Sequence, residues 1–386
     1  SLTRQILYGK KFFKSEFNVD NTFLWLPDVF GYSWALPQIL KKTGIDTFIT
    51  TKISWNEINR MPHDTFLWKG MDGTEILTHF ITTPEDTGTK WYYTYNGEIK
   101  PKMVQGIWDT YQDKGINQDL LLSYGYGDGG GGVTRDMLEN ARAVAKIPGL
   151  PKVYPTRVDD YLYRLHTQLK TRESQRYLHT WSKELYLEFH RGTYTSQSYV
   201  KKMNRMLELL YRDAEILTTF ASVHMNEDFQ TLWDRLSKGW KLILKNQFHD
   251  IIPGSSIAEV YVDTKKEYEE AQELANSVIK DVEKVFVDKN DTVFTVLNTA
   301  AWARDGYVEL PHDIRGCIID ENGNVIETQQ YSHANKKGMV AWVPSVSGLG
   351  VKTLTVADEQ QSSISKKQMF SVNENEIDTP FYKIRL

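Results

Sequence analysis

Apolar and polar positions change rhythm twice along the chain. Up to about residue 172, short apolar runs alternate with helix-spaced stretches. Phe23-Leu24-Trp25-Leu26 reads as a buried strand, and Thr47-Phe48-Ile49-Thr50 as a second. Between them, Ser33 stands where it can cap a helix carrying Ala35, Leu36, Ile39 and Leu40, which stops near Gly44. That is a βαβ unit. The same grammar recurs at Leu120-Leu121-Leu122-Ser123-Tyr124, followed by a glycine-rich turn and a helix from about Thr134 with Met137, Leu138, Ala141, Val144 and Ala145 at helical spacing. An α/β domain follows, barrel-like or open, with parallel strands covered by helices.

From about 173 to 290 the period is helical. Met203, Leu207, Leu210, Ala214, Leu217 and Ala221 make one apolar seam, Phe229, Leu232, Leu236, Trp240 and Ile243 a second, and Ile257, Tyr261, Tyr268, Ala271, Val278 and Val282 a third. An antiparallel three-helix bundle is the expectation. Its second and third helices are joined by His249-Asp250-Ile251-Ile252-Pro253-Gly254-Ser255-Ser256, where Pro and Gly stop one helix and serine can cap the next. From 291 the pattern turns to period two and to β-formers, at Val293 to Leu297, Gly306 to Leu310, and a hairpin turned by Asn322-Gly323. This region reads as the start of a β-sandwich. The run Phe381 to Leu386 is strand-like with no partner evident in the sequence.

Charge and composition then remove function classes. Lys plus Arg number 46 against 50 Asp plus Glu, a net charge of −4, and no basic tract is present to follow a phosphate backbone. Nucleic acid is not an expected partner. No stretch approaches the roughly 20 apolar residues of a membrane helix, so no membrane role is expected. A single cysteine, Cys317, excludes an internal disulfide and favours a reducing, cytoplasmic location.

Chemistry concentrates where α/β folds bind ligands, at the carboxyl ends of strands. Asp28 follows the first strand, in Leu26-Pro27-Asp28-Val29-Phe30-Gly31. Asp128 follows the Leu120 run, in Gly125-Tyr126-Gly127-Asp128-Gly129-Gly130. Two carboxylates on one rim suit glycosidic bond cleavage, one attacking the anomeric carbon and one protonating the leaving oxygen. Each alone equally fits an Asp that caps a helix or binds turn amides. The glycine run lacks the Gly-Lys-Ser/Thr of a phosphate loop. His249-Asp250, flanked by Phe248 and Ile251, fits either a helix-end cap or a half-buried metal ligand. Phe30 and Lys52 fall on the same predicted rim as Asp28.

Taken together, Leu24 to Ser33, Gly125 to Gly132, Glu184-Leu185-Tyr186-Leu187-Glu188-Phe189-His190-Arg191-Gly192-Thr193 and Asn246 to Ser255 resemble four ordered motifs of glycoside hydrolase family 38 α-mannosidases, particularly the cytosolic-type and bacterial branch. The resemblance implies retaining hydrolysis of α-mannosides in oligosaccharides or glycans. It implies Zn2+ or another divalent cation held by Asp28, also the nucleophile, and by His249. It further implies Asp250, Phe30 and Lys52 around the sugar, Asp128 as acid/base, and association of copies as homo-oligomers. The family supplies two further ligands from a His-x-Asp motif, and no His-x-Asp occurs in the chain. The expectation is therefore a fragment whose motif lies upstream and which, alone, binds metal weakly.

Overall fold

The structure, a computed structural model, describes residues 1–85, 91–286, 292–311, 314–333, 336–358, 371–379 and 382–385. The chain forms two compact units. The first comprises Ser1–Glu208 and Lys241–Tyr268, the second Leu209–Trp240 and Glu269–Leu386.

The first unit opens with helix α1 (Leu2–Phe17), closed by Asn18 in the left-handed conformation at its C-terminus. Strand β1 (Phe23–Trp25), helix α2 (Leu36–Lys42) and strand β2 (Thr47–Thr50) then form the expected βαβ unit, with β1 and β2 parallel. Ser33 is not the cap of α2. Its carbonyl accepts from Leu36 N–H at 2.9 Å and its hydroxyl from Ala35 N–H at 3.2 Å, closing a turn before the helix. The helix begins at Leu36 because Pro37 occupies its first turn, where a proline's fixed φ fits and its missing N–H costs nothing.

Strands β3 (Thr65–Lys69) and β4 (Glu75–Phe80) continue the sheet, and both were absent from the sequence reading. β4 runs parallel to β2, and β3 is antiparallel to β4, so the sheet is mixed. After helices α3 (Pro101–Thr110), α4 (Arg135–Val144), α5 (Val158–Leu169) and α6 (Arg172–Tyr177), strand β5 (Thr180–Ser182) joins β3. The order is β1-β2-β4-β3-β5, an open sheet with two edges rather than a closed barrel among the described residues. The Leu120 to Tyr124 run is not a ladder strand. It makes one bridge, Gly97 with Tyr124, and Ser123 N–H is taken by the Thr83 hydroxyl. Helix α4 begins as expected, with Thr134 Oγ1 accepting from Met137 N–H.

Side chains alternate across the sheet, and both faces are covered. Phe48, Phe66, Trp68 and Ile76 pack with Leu36 and Leu40 of α2 on one side. Ile49 and Leu77 pack with Tyr161, Leu162 and Leu165 of α5 on the other. Continuous apolar runs follow from this double burial.

The long helices are α7 (Ser198–Met225), α8 (Gln230–Lys245) and α9 (Ala258–Phe286). The helical stretch thus begins at Ser198, since residues 180–182 of the region read as helical belong to the α/β sheet. Within the first unit, Gln247 donates to Asn204 Oδ1 at 2.8 Å and Asn246 to Glu267 Oε2 at 2.7 Å. Within the second, Tyr211 donates to the Ala271 carbonyl at 2.7 Å, and the close passage of its ring requires Gly239, whose added Cβ would lie 1.5 Å from the phenol oxygen. Of the third predicted seam, Ile257 instead lies 67% exposed, before the first turn of α9.

The second unit also carries six antiparallel strands, β6 (Val293–Leu297), β7 (Arg304–Leu310), β8 (Cys317–Asp320), β9 (Val325–His333), β10 (Lys336–Val346) and β11 (Val351–Ala357). Their order is β6-β11-β8-β9-β10-β7, around Leu310, Ile318, Ile326, Ala341, Val343 and Leu354. The β8–β9 hairpin turns at Gly323, φ 80°, with Gly323 N–H bonded to the Asp320 carbonyl. The short strands β12 (Ser371–Asn373), β13 (Glu376–Asp378) and β14 (Lys383–Arg385) form a separate sheet, so the terminal run does have a partner, in β13. Phe381, Leu386 and the 290/291 boundary read from sequence lie outside the described residues. Among the described residues no helix is long and apolar enough to cross a membrane.

Candidate active site

Asp28 is placed by backbone stitching at the carboxyl ends of β1 and β2. Leu26 N–H bonds to the Ile49 carbonyl at 3.1 Å, extending the parallel ladder past β1. The Pro27 carbonyl then accepts from Lys52 N–H at 2.9 Å and from the Thr51 hydroxyl at 2.6 Å. This ties the two loops after adjacent strands and brings Lys52 Nζ to 2.7 Å from Asp28 Oδ1. The pair is shielded, with side-chain exposures of 13% and 18%. Lys52 also lies 5.4 Å from the Phe30 ring centre and 5.1 Å from that of Trp55.

The turn after α8 delivers the remaining predicted residues. His249 Nε2 lies 3.7 Å from Asp28 Oδ2 and 3.4 Å from Asp250 Oδ2, and Ser255 donates to Asp250 Oδ1 at 2.8 Å. Burial opposes ionisation of Asp28, but the hydrogen bonds and charges of His249 and Lys52 outweigh it and hold the carboxyl below its ordinary range. His249 is raised above the ordinary imidazole, chiefly by its bond to Asp28 against the opposing effect of burial. A cavity of about 420 Å³ opens beside this group, lined by Asp28, Phe30, Lys52 and Asp250 together with His190, Gly192, Thr193, Ser196, Pro253, Gly254 and Ser255.

Asp128 stands at the tip of a hairpin. Asp128 and Gly129 have φ of 51° and 76°, the pair of positive values a type I′ turn needs, and Gly130 N–H closes onto the Gly127 carbonyl at 2.7 Å. Asn96 clamps the turn, accepting from Gly127 N–H at 2.9 Å and donating to Asp128 Oδ2 at 2.8 Å. Tyr95 completes the link. Its phenol donates to Asp128 Oδ1 and lies 3.3 Å from Asp28 Oδ2. Two carboxyl oxygens that share one phenol can be no further apart than two hydrogen bonds end to end, roughly 6 Å.

All six residues singled out from the sequence therefore fall in one neighbourhood, with Phe30, Lys52, His249 and Asp250 around Asp28 and Asp128 joined to it through Tyr95. Tyr95, Asn96 and Trp55 were not singled out for this neighbourhood, and His190 only as part of a motif. Among the described residues, no group of three or more His, Cys, Asp or Glu forms a metal cluster. Asp28 and His249 do present an oxygen and a nitrogen to each other at a spacing near the roughly 3.4 Å edge of a tetrahedral zinc site. They fit two ligands of a larger set.

Residues 1–184 match the glycosyl hydrolases family 38 N-terminal domain, and residues 188–286 match the alpha mannosidase middle domain. Alpha-mannosidase G of Dictyostelium discoideum is 41% identical over 268 residues, 69% of this chain and 23% of its own length. Alpha-mannosidase 2C1 of Mus musculus is 35% identical over 313 residues, 81% of this chain and 29% of its own. The chain thus spans about a quarter of the length of the curated relatives it matches. In fold it is similar to an alpha-mannosidase from Enterococcus faecalis V583, with a TM-score of 0.68 at 17% identity, over 97% of this chain and 48% of that one.

Proposed function

The chain belongs to glycosyl hydrolase family 38, and from that premise we propose that it is the catalytic part of an α-mannosidase, hydrolysing terminal α-D-mannosides with retention. Asp28 attacks the anomeric carbon while Asp128 gives its proton to the leaving oxygen. Water then displaces Asp28 from the glycosyl ester and passes its proton to Asp128, restoring both groups. The observation that carries this reading is the sharing of Tyr95 by the two carboxyls. A ceiling of roughly 6 Å on their nearest oxygens accommodates the roughly 5 Å separation of retaining enzymes.

The electrostatics support the same roles. A nucleophile must be ionised, and Lys52 and His249 keep Asp28 so. Asp250, oriented by Ser255, is positioned to bind sugar hydroxyls, and Phe30 offers a ring face to the pyranose. Asp28 and His249 would hold a divalent cation, zinc by their donor chemistry, with further ligands from outside their number. Such an ion supplies charge stabilisation and a grip on hydroxyls. The three long helices as one bundle, the antiparallel sheet as the start of a β-sandwich, and a cytoplasmic location, consistent with free Cys317, complete the reading.

Proton NMR of aryl α-mannoside hydrolysis by the complete protein tests it. The α anomer of mannose should appear first, and Asp28→Ala should lower kcat by at least about 10⁴-fold. First appearance of the β anomer, or no hydrolysis, would reject the proposal.

A further inference from the structure

The segment Glu184 to Thr193 has no part in the roles assigned above, yet it builds one wall of the cavity beside Asp28. His190 occupies the left-handed region, φ 60° and ψ 26°, immediately before the 3₁₀ turn Arg191–Tyr194. A residue with a Cβ is strained there, and such outliers gather where a side chain must be aimed. The turn holds the strain in place, since Thr193 N–H bonds to the His190 carbonyl at 2.9 Å. The imidazole lies against Phe30, ring centres 4.7 Å apart, and its two nitrogens have no hydrogen-bond partner among the described residues.

The wall is fixed to the rest of the site. Lys201 Nζ donates to the carbonyls of Ser196 and of Ile252, at 2.5 and 2.8 Å, joining this segment to the turn that carries His249 and Asp250. Burial keeps the His190 imidazole below its ordinary pKa, with Lys52 adding to the effect, so at neutral pH the ring offers one donor and one acceptor. Neither Asp128 nor Tyr95 is among the described residues lining this cavity. If Asp128 protonates the leaving oxygen, the leaving group departs on that side, and the cavity holds the sugar being cut free.

We propose that His190 is a specificity-determining residue of the glycon side, hydrogen-bonding a hydroxyl at C4 or C6 of the terminal mannose with a ring held against Phe30. The proposal rests on the mannosidase reading. An orphaned donor and acceptor at a polar sugar edge discriminate strongly, because a substrate lacking the matching hydroxyl leaves them unpaired.

The test compares aryl α-D-mannoside, its 4-deoxy analogue and aryl α-D-lyxoside, which lacks the C6 arm, in the complete protein and in His190→Ala and His190→Asn. Asparagine tolerates the left-handed backbone, so the second variant separates loss of the ring from misfolding. His190→Ala should lower kcat/KM for the mannoside roughly tenfold, and the loss should vanish for whichever analogue lacks the contacted hydroxyl. His190→Asn should recover part of it. An equal loss on all three substrates, or no loss on the mannoside, overturns the assignment of His190 alone. No mannoside hydrolysis by the unaltered protein overturns the mannosidase reading and this inference with it.

Discussion

Tyr95 places one proton between two carboxylates. Burial first, then its hydrogen bond to Asp128 and the charges of Asp28 and Asp128, push its ionisation far above the ordinary phenol range, so it stays a donor at any working pH. In the proposed reaction only one of the two carboxyls needs that donor at a time. When Asp28 has become an ester, the charge lies on Asp128, to which the phenol already donates. Tyr95→Phe keeps the ring and removes the donor. It should lower kcat by roughly 10² to 10³-fold, the loss typical of one preorganised donor to a reacting group, with KM little changed in steady-state assays. A rise in KM at constant kcat would instead make it a binding residue. Sequence could not single Tyr95 out. It ends the aromatic run Trp91-Tyr92-Tyr93-Thr94-Tyr95, in which Tyr93 is a buried core residue, and its partners lie 33 and 67 residues away. Asp28 was legible because the strand before it and the loop after it are local features.

Between elements, the first unit depends on a neutral histidine. His79 of β4 is fully buried, with Nδ1 2.8 Å from Thr65 Oγ1 of β3 and Nε2 3.0 Å from the Tyr161 phenol of α5, so it joins strand to strand and helix to sheet. Burial takes its imidazole from 6.5 to about 3. Below pH 6.5 the unfolded chain therefore binds a proton that the folded one refuses, and stability falls as pH falls toward 3. Between pH 7 and 5 this group costs about 2 kcal/mol. Asp64, raised by burial to about 6, works in the opposite direction over the same interval, since its folded form takes a proton first. The comparison must then be variant against parent. His79→Gln should lose less stability than the parent between pH 7 and 5, by about 2 kcal/mol, in urea unfolding at each pH. Equal losses would assign the slope to other groups. The pairing of His79 was hidden for the reason that β3 and β4 were missed. The strands are buried on both faces, which erases the alternation that marks a strand, although Asp72-Gly73 between them is a turn signal. The βαβ unit, the helical seams and the Gly323 hairpin kept their periods and were readable. The Leu120 run misled because an apolar run buried by side-chain contacts looks the same as one buried in a ladder.

At the scale of the whole molecule, the question is how much metal site one chain holds. Asp28 and His249 face each other at 3.7 Å, and no third His, Cys, Asp or Glu completes a cluster among the described residues. Lys52 meanwhile supplies Asp28 with a positive charge at 2.7 Å. That ion pair gives the carboxylate part of the charge compensation that a cation would give. Complete zinc sites gain about 10–16 kcal/mol, and on the proposal that Asp28 and His249 are two ligands of four they should give roughly half, a Kd of about 1 µM or weaker. Isothermal titration of the 386-residue chain with Zn2+ should find binding in that range, lost in Asp28→Ala and in His249→Ala alike. Removing Lys52 should then tighten binding, because the ammonium competes with the ion for Asp28. Nanomolar affinity in the unaltered chain would mean that other residues complete the set. Affinity unchanged by Lys52→Met would mean that the cation approaches Asp28 through Oδ2, the oxygen facing His249, without displacing the pair.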